Sequence, residues 1–311
     1  MIHPLLSIQA RSQTFILKHF KYTPYGRRMA KLRNTHLGES CFIIGNGPSL
    51  TVEDLDTLHS KGIDTFAVNR IYQIFPKTDW RPTYFVSTDA VMLRDKLEEA
   101  EQIPAKIKFI PLQNKYYLGI KLKGAKYFFR NDLREKDQPD GFSLDCTEQV
   151  NMRGTVTIAC MQLAMHLGYK HIYLLGIDHN FDKIITENGE IVIDPSVKNY
   201  FIEGYDDDVI KEVQHDLGNT TRAYYDVRRF IDKTDVRIYN ATRKTKLEAF
   251  ERVTFEEALE QIEARKAKME RLQDDVTSFA EKNAENRKAY DEATKRLAEY
   301  EKERERLFIL E

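Results

Sequence analysis

An α/β fold built on a largely parallel sheet is predicted by three features of the sequence. Short apolar runs alternate with helix-length amphipathic stretches from Cys41 to about Tyr239, the pattern of strands joined by crossover helices. The first run ends in Gly45-Asn46-Gly47 and is followed by the helix-start signal Thr51-Val-Glu-Asp54. An apolar stretch at 156–167 then passes through Gly168 directly into the run 172–175, a helix-to-strand unit with glycine as the C-cap.

In chain order the candidate strands are 41–44, 65–68, 84–87, 108–111, 172–175 and 236–239. A helix follows the first strand from Thr51 to near Gly62. In the 156–167 helix, Ile158, Cys160, Met161, Leu163, Ala164 and Leu167 form an apolar face. The stretch DKIITENGEIVIDP reads as a hairpin around Asn188-Gly189, and the polar, poorly periodic remainder of 181–221 reads as a long loop or lid over the site.

After Phe255 no Gly or Pro interrupts the chain. With Phe255 at heptad position a, the a positions are Phe255, Ile262, Met269, Val276, Asn283, Tyr290, Leu297 and Arg304. The d positions are Ala258, Arg265, Leu272, Phe279, Asn286, Ala293, Tyr300 and Leu307. This predicts a coiled-coil helix of roughly 80 Å at 1.5 Å per residue. Its polar core entries are of the kind that fix register and oligomer state. The narrow seam points to a homo-oligomer through this helix; the other reading is a single helix folded back on its own domain.

Three segments result: a basic amphipathic arm at 1–38, an α/β domain at 39–252 and the C-terminal helix at 253–311. The arm carries seven basic side chains (Arg11, Lys18, Lys21, Arg27, Arg28, Lys31 and Arg33) and no acid. It suits peripheral contact of residues 11–34 with an anionic membrane face, or docking on an acidic patch of its own protein or of a partner subunit. Across the whole chain 48 Lys+Arg meet 49 Asp+Glu, which excludes a bulk polycation, so no nucleic-acid partner is expected. With 17 Phe and 16 Tyr among 41% hydrophobic residues, the chain has the means for a sizeable core. The three cysteines have no CxxC spacing and read as buried thiols rather than a disulfide framework or zinc site. No run reaches the ~18 apolar residues of a membrane span, and the N-terminus lacks a signal peptide's features. The expected location is the cytoplasm.

The Gly45-Asn46-Gly47-Pro48-Ser49-Leu50 turn outlines a nucleotide site, because glycines let backbone approach a ligand and a helix N-terminus offers N–H groups to phosphate. Leu50 stands where a third glycine of a dinucleotide fingerprint would be. Short polar residues follow the other strands: Asn69, Thr88 and Asp89, Asp178 and His179, Asn240 and Thr242. Open α/β sheets bind ligands at these carboxyl ends. Thr155 is placed to cap the 156–167 helix, with Arg153 free to reach an anion. Among eight histidines, His179 and His215 are the acid/base candidates, lying in polar sequence beyond strand ends. No second ligand stands at metal spacing near Asp178-His179, so no protein-held metal is expected.

The blocks CFIIGNGPSL, FAVNRIY, PTYFVSTD, MRGTVTIACMQLAMHLGYKHIYLLGIDHNF and IYNATRKTKLEAFERV span roughly residues 34–258. They resemble the bacterial proteins grouped with MptE-like 6-hydroxymethylpterin diphosphokinases and with the central domain of Maf flagellin glycosyltransferases. The GNGPSL opening and the Arg-x-Thr…LGYKHIYLLGID block are also similar to family 42 bacterial sialyltransferases. That resemblance implies a Rossmann-like, modified GT-A fold and a CMP-sugar donor with no required cofactor. It implies nucleotide contacts from Gly45, Asn46, Gly47, Ser49, Asn69, Arg153 and Thr155, and a general base at His215, with His179 in reserve. Thr88-Asp89 replaces an asparagine expected near the donor. Tyr200, Tyr205, Tyr224 and Tyr225 are available to hold the leaving phosphate.

The function these readings imply is an inverting glycosyltransferase that moves a nonulosonic, sialic-acid-like sugar from CMP to a glycan or lipid-linked acceptor in surface polysaccharide biosynthesis. In that reading residence at the inner membrane would follow from the basic arm. The alternatives are an ATP-dependent diphosphokinase, with Mg²⁺ held by Asp89 and Asp178, and a non-catalytic coiled-coil scaffold.

Overall fold

Each of the six apolar runs becomes a strand of one sheet, since consecutive large apolar residues are satisfied only by burial on both faces. The computed structural model describes residues 15, 19–131, 142–152, 154–185, 190–202, 205 and 215–308. Helix α1 (Pro24–Ala30) precedes β1 (Ser40–Ile44), α2 (Val52–Ser60), β2 (Thr65–Val68) and β3 (Tyr84–Val86). The short helices α3 (Ala90–Asp95) and α4 (Leu97–Gln102) lead to β4 (Ile107–Pro111), α5 (Leu112–Leu118) and β5 (Lys126–Phe128). A two-residue pair, β6 (Arg130–Asn131) and β7 (Val150–Asn151), then leads to α6 (Val156–Leu167) and β8 (His171–Leu175). A small sheet of β9 (Lys183–Ile185), β10 (Ile191–Ile193) and β11 (His215–Asp216) comes before α7 (Leu217–Ile231), β12 (Arg237–Asn240), β13 (Glu251–Arg252) and α8 (Phe255–Phe308).

The main sheet runs β13-β12-β8-β1-β2-β3-β4-β5, with neighbouring strands parallel throughout. From β1 the chain winds outward through β2 to β5, then returns to β8 on the other flank of β1 and continues to β12 and β13. The order therefore reverses between β1 and β8, and such a switch point opens a crevice beyond the strands' carboxyl ends. Aromatic residues fill both faces. Phe42, Tyr173 and Tyr239 stack in a row with centroids 5.2 Å apart, while Phe66 stacks on Tyr84 at 4.4 Å on the opposite face.

Helix α6 departs from the one-faced expectation: every residue from Thr157 to Leu167 is buried, Gln162 and His166 included. Several segments share in this: Gln162 bonds the backbone of Ser143 and Asn151, Thr157 meets Tyr224 of α7, and the second half of the basic arm packs on the helix's C-terminal end. Asn34 and His36 donate their backbone N–H groups to the carbonyls of His166 and Leu167, and His166 Nε2 lies 3.0 Å from Met29 O. Arg33 pairs with Asp145 at 2.5 Å and Lys21 with Glu148 at 2.9 Å. From Phe20 onward the arm thus meets acids of its own chain; residues 11–14 and 16–18 lie outside the described residues.

The hairpin expected around Asn188-Gly189 is present, β9 pairing antiparallel with β10, its turn lying outside the described residues. The long loop is shorter than expected, because residues 217–221 open α7. Cys41, Cys146 and Cys160 are buried free thiols. Among the described residues no helix is long and apolar enough to cross a membrane. The described chain up to Ala258 forms one unit, and from Leu259 the rest of α8 forms a second.

Candidate functional site

The loop after β1 is built by its packing against the loop after β8. A Cβ on Gly45 would lie 2.4 Å from Gly176 O, and one on Gly47 would lie 2.0 Å from Asp178 Oδ2. Both glycines are required there by loop-to-loop contact, so the space that they keep open is filled by protein. Ser49 donates to Asp178 through its backbone N–H (3.2 Å) and its hydroxyl (2.7 Å). Burial nonetheless raises the Asp178 carboxyl above its ordinary range, the Ser49 bonds only partly offsetting it.

The N-terminus of α2 does not offer the free N–H groups that the sequence promised. Thr51 and Asp54 form a reciprocal capping box, and Arg243 clamps the Asp54 carboxylate with two bonds of 2.6 Å. With Glu53 and Asp54 in its first turn and Asp178 beside Ser49, this end is already supplied with negative charge. Helix α6 opens without such charge. Its first turn holds no acid, Thr155 Oγ1 caps Thr157 N at 3.3 Å, and Gly154 precedes it at φ +75° with Thr220 where a Cβ would go. Arg153 lies outside the described residues.

Three adjacent strands end in polar groups that folding leaves unmatched. Among the described residues, Asn46 Oδ1 after β1, Asn69 Oδ1 after β2 and Ser87 Oγ after β3 are buried without a hydrogen-bond partner, as is Gln73 Oε1 nearby in sequence. Asn69 takes a left-handed φ of 53°, where asparagine is tolerated. Asn46 Nδ2 donates to Val68 O (3.2 Å) and to the Tyr205 hydroxyl (2.7 Å). The same hydroxyl accepts from Arg70 N at 3.1 Å. Arg70 Nη1 donates to the Tyr205 carbonyl, and Tyr200 stacks on the phenol at 4.0 Å. An unpaired buried polar atom costs about 1–3 kcal/mol, and a ligand's hydroxyl or amino groups would relieve several at once.

His179 follows β8 on the same edge. It is 6% exposed, takes a left-handed φ of 52°, and stands edge-on to Tyr224 at 5.5 Å. Its Nε2 lies 2.7 Å from Thr221 Oγ1, whose own proton goes to Leu217 O at 2.8 Å. In that arrangement Nε2 carries the hydrogen and Nδ1 the lone pair, with no described residue paired to Nδ1. Burial lowers the imidazole to about 4, so it is neutral at physiological pH. The Tyr224 hydroxyl bonds Thr157 and Thr155, which ties His179 to the start of α6; burial pushes that phenol up to about 12.

The predicted residues therefore divide. Gly45, Asn46, Gly47, Ser49, Asn69, Asp178 and His179 follow the carboxyl ends of β1, β2 and β8, and Thr155 caps the start of α6. Asn240 is fully buried with both amide ends engaged, by Leu247 O at 3.0 Å and Thr242 N at 3.1 Å, so it shapes the loop behind the site. Asp89 is exposed and caps α3 through Val91 N and Met92 N. His215 has its backbone in β11, paired with Ile184, one residue before the α7 cap Asp216; its side chain is outside the description. Arg70, Ser87 and Thr221 were not anticipated. Ser87 closes a legible strand, whereas Thr221 sits in sequence that gave no helical signal.

Asp178 and Asp89 end strands three steps apart in the sheet, about 14 Å at the usual spacing. They do not fit a shared magnesium ion. Among the described residues the one compact His/carboxylate group is His36, Glu39 and Asp64, at the opposite edge of the sheet, where its members bond one another.

A parallel α/β sheet whose strand order reverses between β1 and β8 is the class that the fold defines. The chain belongs to the family described as 6-hydroxymethylpterin diphosphokinase MptE-like, whose match covers residues 15–183, more than half of its length. No curated protein matches it. Among solved structures, the MAf glycosyltransferase from Magnetospirillum magneticum AMB-1 is 12% identical with a TM-score of 0.44, over 78% of this chain and 41% of that one. This chain thus spans well under half of that protein's length. The α-2,3-sialyltransferase Cst-I from Campylobacter jejuni is 16% identical with a TM-score of 0.42, over 68% of this chain and 79% of that one. The sialyltransferase CstII from the same organism, solved in complex with a substrate analogue, cytidine-5'-monophosphate, is 16% identical with a TM-score of 0.41, over 70% of this chain and 86% of that one.

Proposed function

We propose that the chain is an inverting glycosyltransferase that passes a nonulosonic, sialic-acid-like sugar from CMP to a hydroxyl of a glycan or lipid-linked acceptor, in building a bacterial surface glycan on the cytoplasmic side of the membrane. The observation that carries this reading is His179: a buried imidazole, neutral at physiological pH, held in one tautomer by Thr221 beside unmatched polar strand ends. Its Nδ1 lone pair takes the acceptor proton while the acceptor oxygen attacks the anomeric carbon. The bond from that carbon to the phosphate oxygen breaks, and CMP leaves with the electron pair. The uncharged groups of Asn46, Asn69, Ser87 and Tyr205 suit the hydroxyls and amine of a nucleoside, and the start of α6 suits its phosphate. No step in this scheme requires a metal. His215 is the other candidate base.

The reaction in the family's description is the second reading, with ATP and Mg²⁺ as co-substrates. The separation of Asp89 from Asp178 weighs against a magnesium site shared by these two carboxylates. Thermal stabilisation by CMP, CDP, UDP and ATP, each with and without EDTA, separates the two, because a ligand that binds only the folded state raises the melting point. Stabilisation by CMP or CDP that survives EDTA is the expected result. A preference for ATP that EDTA abolishes would replace the transferase with the diphosphokinase. Turnover unchanged in both His179→Gln and His215→Gln would remove the proposed base.

A further inference from the structure

From Leu259 onward α8 forms a unit of its own, and Met269, Leu272, Val276, Phe279, Tyr290, Leu297 and Tyr300 along it are 48% to 73% exposed. All seven occupy a or d positions of the heptad begun at Phe255. A helix of this kind gains most of its stability by burying such a stripe, and a single-file a/d seam is the shape that another helix covers.

We infer that a second copy of the chain covers it, running antiparallel, with the two-fold axis passing between Ala284 and Glu285. Side-chain size and charge fix this register. In it Phe279 faces the partner's Tyr290, Leu272 faces the partner's Leu297, Met269 faces the partner's Tyr300, and Val276 faces the partner's Ala293. Asn283 faces the partner's Asn286 in both central layers, where amides satisfy each other and penalise any shift. Along the flanks Asp275 meets the partner's Arg296 at g, and Lys266 meets the partner's Glu301 at e; symmetry repeats each pair. The unfavourable layer sets Arg265 opposite the partner's Arg304, toward the ends of the overlap.

The alternatives are worse by the same accounting. A parallel, in-register pair would set Lys282 against the partner's Arg287, stack Arg265 on its own copy, and keep one favourable flank pair, Arg296 with Glu301. Sliding the antiparallel pair by one heptad sets Lys282 against its own copy in one direction and Arg287 against its own copy in the other. One arrangement therefore aligns large apolar layers, the asparagines and the flanking charges together.

Light scattering on the full-length protein at tens of micromolar should give twice the 36.5 kDa chain mass. The double variant Val276→Cys/Ala293→Cys should cross-link to a covalent dimer on mild oxidation. Val276→Cys alone should not, since its copy lies 17 residues away along the antiparallel pair, about 25 Å at 1.5 Å per residue. The native cysteines are buried and give a silent background. Asp275→Arg and Arg296→Asp should each weaken the dimer about tenfold, and the two together should restore it. A monomer, a higher oligomer, efficient cross-linking of Val276→Cys alone, or a double swap no better than the singles would each overturn the inference.

Discussion

The strongest consequence of the His179 geometry is a pH dependence of stability that one substitution should remove. Burial holds the imidazole near 4 in the folded protein, against an ordinary value near 6.5. The unfolded chain therefore binds the extra proton between those values, and stability falls as pH drops through this window. Above pH 7 the imidazole is neutral in both states and the contribution is flat. The gap amounts to about 3 kcal/mol in all at 1.36 kcal/mol per tenfold, of which about 2 kcal/mol falls between pH 7 and pH 5. Urea unfolding of the wild type and of His179→Gln, at half-unit steps from pH 7 to pH 5, isolates the term. Every other titrating group, including the buried His166 and Asp178, is common to both proteins. The wild type should lose about 2 kcal/mol more than the variant across that range. Parallel curves would show that the imidazole is not buried neutral, and the tautomer argument with Thr221 would fall with it.

Three further substitutions test the site and its supports. Ser87→Ala removes a buried hydroxyl without a partner, so the free protein should gain about 1 kcal/mol while the melting shift produced by CMP shrinks. Arg243→Ala leaves the buried Asp54 carboxylate with only its capping-box partner and should cost about 2 kcal/mol in denaturant unfolding, the half-exposed arginine keeping the loss below that of a fully buried pair. Gly47→Ala drives a methyl group into Asp178 Oδ2 and Gly176 O; a loss of about 2–3 kcal/mol is expected, and an unchanged midpoint would mean that the two loops are not in contact.

The strands that were legible are those whose burial is written into consecutive apolar residues, as in Cys41-Phe-Ile-Ile44 or His171-Ile-Tyr-Leu-Leu175. Strand β5 was not, because only Tyr127 and Phe128 mark it and its burial comes from α1, Tyr25 packing edge-on to Tyr127 at 5.4 Å. Strand β13 consists of exposed Glu251 and Arg252 and carries no local signal. Helix α7 opens with Leu-Gly-Asn-Thr-Thr, a poor helix start by propensity, so its N-cap Asp216 went unread. Its buried residues Ala223, Tyr224, Val227 and Ile231 do keep helical spacing. The Gly45-Asn46-Gly47 turn follows β1, and its glycines admit the neighbouring loop, a long-range contact that local sequence does not announce.

The two edges of the sheet differ in how their polar groups are met. At the amino-terminal edge polar side chains satisfy one another: Asp64 accepts from Tyr169 and Thr83, Thr65 and Thr83 exchange bonds with each other's backbone, and Tyr84 meets His36 at 2.9 Å. At the carboxyl edge Asn46, Asn69 and Ser87 are buried as deeply or nearly so, yet each keeps an atom without a partner. Both edges belong to the same strands, so burial alone does not explain the contrast. A chain able to close a network at one end of β2 and β3 had the residue types to close one at the other. An edge left open at a cost of about 1–3 kcal/mol per group is better explained by a ligand that completes it than by packing.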